Sequence, residues 1–110
     1  MSLDIWLTDV NSTDGSSLWG RNITHNVGKI ARAVGVYTCI WRPEDSNVTR
    51  AGDNIFQLRT AISALILNYD YLSTLNPENG WGNLDQLIDF VIEYHKACMK
   101  YPNALIEVSR

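Results

Sequence analysis

The apolar residues of this chain change period twice, and that change constrains most of what it can fold into. At the start, Leu3, Ile5 and Leu7 alternate with Asp4, Trp6 and Thr8, the pattern of a strand with one buried face. From Val27 to Cys98 the spacing lengthens to three and four, the pattern of amphipathic helices. Ala104 to Val108 reads as a strand again. A lone hairpin is marginal in water, so the last strand is expected to pair with the first two. The predicted class is α+β: a small antiparallel sheet, made of an N-terminal hairpin and a C-terminal strand, with about three helices packed on one face. A chain of 110 residues without repeat or linker fits one domain, 1–110.

Residues 11–17, NSTDGSS, supply turn chemistry, with Asp14-Gly15 suited to positive φ. Leu18 to Ile23 is the expected return strand. Val27, Ile30, Ala31 and Val34 then mark a short helix that Gly35 can cap. Val36 to Trp41 fits either a strand or a buried helical turn, ended by Pro43. Residues 49–72 carry the strongest helical period, through Ile55, Leu58, Ile62, Leu65, Tyr69 and Leu72, with Thr49 or Asp53 as cap. Ala61, Ala64, Ile66 and Leu67 widen that stripe, which predicts a central helix packed on more than one side. After a loop at 73–83, Asn83 and Gln86 read as a capping box. The last helix then buries Leu84, Leu87, Ile88, Val91, Ile92, His95 and Cys98.

Charge and composition exclude several function classes. The formal net charge is −3 and the nine basic residues are scattered, which argues against a nucleic-acid partner. The longest apolar run, Ala64 to Leu67, cannot span a bilayer, and the first residues lack a secretory pattern. The expectation is a cytoplasmic protein with no membrane partner. Cys39 and Cys98 lie among apolar residues without metal-ligand spacing, so reduced core thiols are expected, with no metal and no cofactor. No nucleophile elbow, zincin helix, P-loop or dinucleotide fingerprint is present, so binding is favoured over catalysis.

Three segments could carry recognition. The first is Arg21-Asn22-Ile23-Thr24-His25-Asn26, at the strand-to-helix junction. Asn22 or Thr24 suits the cap, and Arg21, His25 and Asn26 are left to meet an anion at the helix start or to stand solvated. The second is Trp41-Arg42-Pro43-Glu44-Asp45, where Arg42 could grip a carboxylate or phosphate while the ring stacks on a base or sugar. The bland alternative is a core Trp41 with Arg42 paired to Glu44 or Asp45. The third is Asn79-Gly80-Trp81-Gly82, where Trp81 is a stacking platform or an anchor that pins the loop. His95, on the apolar stripe, reads as a core histidine.

Taken together, the NITHN, WRPE, NGWG and terminal VSR segments resemble a family of small uncharacterised bacteriophage and bacterial proteins. The resemblance runs from Leu3 to Arg110. The chain departs from that pattern in a longer hairpin turn and in the β-branched stretch Val36 to Ile40. The resemblance implies a small accessory protein, acting in the host cytoplasm by binding. The leading expectation is a non-enzymatic module that binds a polar or anionic, nucleotide-like small molecule through Arg21, Asn22, Thr24, His25, Asn26, Arg42 and Trp81. The alternative is a protein–protein interaction module, a host-factor binder or a homo-oligomer, with an exposed apolar patch around some of Trp6, Trp19, Trp41 and Tyr37 and no enclosed pocket. A third reading, a hydrolase with His25 as general base, requires a carboxylate or nucleophile within hydrogen-bond reach.

Overall fold

A computed structural model describes residues 1–12 and 16–110; the expected Asp14-Gly15 turn lies outside these. Strand β1 (Ser2–Thr8) is central, with β2 (Ser17–Thr24) on one side and β3 (Leu105–Ser109) on the other, both antiparallel to it. The fold is therefore α+β with a three-stranded antiparallel sheet. The pairing Leu3↔Ile23, Ile5↔Arg21 and Leu7↔Trp19 aligns the apolar face of β1 with Ile23, Arg21 and Trp19. Val108 and Ile106 of β3 pair with Ile5 and Leu7 and extend that face. Leu3, Ile5 and Leu7 are fully buried there, whereas Asp4 on the other face is exposed. On that outer face the Trp6 indole donates to Glu107 at 2.8 Å, across the β1–β3 pair.

Among the described residues there are five α-helices, α1 (Gly28–Ala33), α2 (Tyr37–Trp41), α3 (Ile55–Leu67), α4 (Tyr69–Ser73) and α5 (Leu84–Lys100); α5 packs against β2 and also against α3 and α4. The extra helices arise from breaks. The segment Val36 to Trp41 resolves as helix α2 (Tyr37–Trp41) with Val36 at its N-cap, despite its β-branched residues, because the turn buries Cys39, Ile40 and Trp41, and packing overrides propensity. Gly35, at φ +75°, ends α1: its amide reaches Arg32 O and that of Val36 reaches Ala31 O. The expected helix over 49–72 begins as a 3-10 turn at Ala51–Asn54 and is interrupted at Asn68. Asp53 caps its start by accepting from the Arg50 and Thr49 amides.

Within the chain, α3 is packed on one side only, through Leu58, Ala61 and Leu65. The expected second packed side is open, and Phe56, Ile66 and Leu67 are exposed. On α5 the buried stripe is Leu84, Leu87, Phe90, Val91, Tyr94, Ala97 and Cys98. It is rotated from the predicted one because two large rings face the sheet: Tyr94 stacks on Trp19 at 5.4 Å and Phe90 tilts against it. This rotation moves Ile88, Ile92 and His95 to the margin. His95 is not a core histidine; its Nε2 accepts from Arg59 Nε at 3.3 Å. Both cysteines are free and buried. Among the described residues, no helix is long and apolar enough to cross a membrane.

Candidate functional site

The polar junction after β2 is built by register. Ser2 pairs with Thr24 and Asp4 with Asn22, so the first residues of the chain lie beside the RNITHN segment. Asn22 Nδ2 donates to Ser2 Oγ at 2.7 Å and to Asp4 Oδ1 at 3.1 Å. Thr24 is the cap: its Oγ1 accepts from the Asn26 amide at 3.2 Å, opening a 3-10 turn at His25–Val27. The His25 amide is used as well, donating to Met1 O. With those two amides engaged and α1 only six residues long, the helix start has little left to offer an anion.

The loop before α5 seats against this junction. Gly80 and Gly82 both have positive φ, and the Asn79 side chain accepts from the Trp81 amide at 2.9 Å. A Cβ on Gly82 would overlap Thr24 Cγ2 and stand 3.2 Å from Val27 Cγ1. The loop is thus held by close backbone approach at Gly82, and by Asn83, whose Oδ1 caps α5 through the Gln86 amide. Trp81 is no anchor: its side chain is left 72% exposed.

Two adjoining clefts result. One, of about 530 Å³, is lined by Met1, Ser2, Asn22, Thr24, Asn26, Asn79 and Trp81. The other, of about 290 Å³, shares Asn22, Thr24 and Trp81 and adds Arg21, Ile23, Gly82 and Gln86. Arg21 leans over Phe90 and its guanidinium pairs with Asp89 at 2.6 Å. The structure thereby brings together Arg21, Asn22, Thr24, Asn26 and Trp81 of the expected set. His25 and Arg42 line neither cleft.

Those two residues belong to a different neighbourhood. Trp41 is buried and stacked on Tyr37 at 5.1 Å, and the Arg32 guanidinium covers the other ring of that pair at 3.9 Å. The Trp41 indole donates to His25 Nδ1 at 2.9 Å, so the His25 proton sits on Nε2. The one imidazole lone pair is therefore occupied, and no carboxylate or nucleophile is hydrogen-bonded to His25 among the described residues. A general-base role lacks its geometry. Glu44 is paired not with Arg42 but with Arg110, at 2.6 Å, and Arg110 also donates to Trp41 O. The backbone amide of Glu44, with Arg110, holds its carboxyl below the ordinary range.

Ser2 and Gln86 were missed from the sequence, whereas Asn79 lies in the third segment singled out there. The strand register places Ser2 beside the clefts and the loop-to-helix turn places Gln86 there. Of the four aromatic residues considered for an interaction patch, Trp41 is buried and Trp6, Trp19 and Tyr37 are half-buried. No protein-family model, no curated protein and no solved structure matches this chain.

Proposed function

We propose that this chain is a non-catalytic binding module that takes a polar, nucleotide-like small ligand at the Trp81 clefts. The observation that carries the reading is Trp81 itself. An indole left open to water between two positive-φ glycines contributes nothing to the core, yet it lines both clefts beside Asn22 and Thr24. A flat ring bounded by side-chain amides suits a planar heterocycle, with stacking on one face and donors and acceptors at the edge. Arg21 supports the nucleotide class in particular. Its pair with Asp89 is a surface one, worth little on its own, so a ligand phosphate can exchange with the carboxylate. The NITHN, WRPE, NGWG and VSR segments support reading the protein as a bacteriophage-type accessory factor of the host cytoplasm.

The test is a thermal-shift screen with nucleosides, mononucleotides and cyclic dinucleotides. A ligand at a hundredfold excess over its Kd adds about 2.7 kcal/mol to apparent stability. The expected result is a rise in Tm that Trp81→Ala abolishes, Arg21→Ala reduces for phosphorylated ligands only, and Arg42→Ala leaves intact. No shift with any member of the class, or a shift that survives Trp81→Ala, overturns the proposal.

A further inference from the structure

The outer face of α3 leaves large apolar side chains uncovered. Phe56, Thr60, Ser63 and Leu67 recur at intervals of four, three and four, a straight seam on the side opposite Leu58, Ala61 and Leu65. Phe56 is 78% and Leu67 82% exposed, with Ile66 and Tyr71 exposed beside them. A helix apolar on both sides is expected to be covered on both, and this chain covers only one.

We propose that a second copy of the chain covers the other, in a two-fold dimer with the two α3 helices antiparallel and crossing near Ser63. Three features select a like copy over another partner. The first is shape. A groove of about 350 Å³, lined by residues 66–71, opens where α3 breaks into α4. Phe56 and this groove lie at opposite ends of the seam, each on the order of 10 Å from Ser63 at the helical rise. A two-fold axis at Ser63 therefore brings the Phe56 ring of each copy to the Ile66 and Leu67 rim of that groove in the other. Thr60 and Ser63, small residues at the crossing, let the two backbones approach.

The second feature is charge. Between Ile55 and Ser73 the charged residues are Arg59 and Asp70. Among the described residues Arg59 donates to His95 and Met99 and makes no ion pair, and the Asp70 carboxylate has no ion pair there either. One charge sits toward each end of the seam, so the antiparallel arrangement brings opposite signs together twice. A parallel arrangement would set like beside like. The third feature is side-chain type. Phe56, Ile66, Leu67 and Tyr71 are each more than half exposed on this face, large apolar and aromatic side chains of the kind that a specific interface buries at its centre. Isologous contact requires this kind of self-complementarity, each patch meeting its own image.

The test is sedimentation velocity on the full chain across the micromolar range. The expected wild-type species has twice the 12.4 kDa chain mass. Phe56→Ser and Leu67→Glu, both at exposed positions, are expected to sediment as monomers with unchanged circular dichroism. Arg59→Asp and Asp70→Arg are each expected to weaken the dimer about tenfold, and their combination to restore it. A monomeric wild type overturns the proposal and leaves the face to a different partner. A dimer that persists in both apolar variants overturns it by assigning the interface elsewhere. Failure of the double charge exchange to recover refutes the antiparallel register.

Discussion

Replacing Gly82 by alanine tests how the Trp81 loop is seated. Two costs add at this position. The backbone has φ +89°, where an L side chain costs about 1–2 kcal/mol. The new methyl also overlaps Thr24 Cγ2 and crowds Val27 Cγ1, so the loop or the cap must give way. Losing the Thr24 cap alone costs about 1 kcal/mol. Gly82→Ala is therefore expected to destabilise by about 2–3 kcal/mol, a fall in Tm of roughly 10–20 °C for a chain of this size. Gly80→Ala is the control: φ is +74° but nothing lies within 4 Å of its added Cβ, so only the backbone cost applies. Thr24→Ser removes the colliding methyl and keeps the capping hydroxyl. In that background Gly82→Ala should recover about 1 kcal/mol, read from equilibrium urea unfolding as a double-mutant cycle. Equal costs at Gly80 and Gly82, or no coupling to Thr24, would refute the close approach that shapes the clefts.

Two further outcomes follow from titrating groups. Burial pushes the thiols of Cys39 and Cys98 up to about 12, so at about pH 8 iodoacetamide should label neither in the native chain and both in denaturant. His95 is held below its ordinary value of 6.5, first by burial and then by Arg59. The unfolded chain then binds a proton that the folded chain resists, and stability falls as pH drops through 6.5 and below. His95→Gln should flatten the urea midpoint between about pH 7.5 and pH 5, whereas Glu44, held below 4.5, contributes only in more acid solution. A midpoint that falls as steeply in the variant would refute the assignment.

The sheet was legible because the period-two signal of Leu3, Ile5 and Leu7 has no competing reading, and its partner strands followed from the need to pair it. The helices were legible in place but not in number. A stop at Asn68 is a local geometric choice that no glycine or proline announces, and Val36 to Trp41 has strand propensity that only its buried side chains overrule. Half of the candidate site was readable from RNITHN. Its division was not, because which of Arg21, His25 and Asn26 turns toward the loop depends on strand pleat and register. Arg42 and Arg110 show the same limit. The bland alternative pairs Arg42 with its neighbours Glu44 or Asp45, but a residue 66 positions away pairs with Glu44.

The central claim, that Trp81 is a ligand platform, is tested most directly by titrating a 5′-mononucleotide into isotope-labelled protein and following indole and side-chain amide resonances. The Trp81 indole and the Asn26 and Asn79 side-chain amides are expected to shift together and saturate, while the Trp41 indole, hydrogen-bonded to His25, stays in place. Shifts centred on Trp41 and Arg42, with Trp81 unmoved, would contradict it.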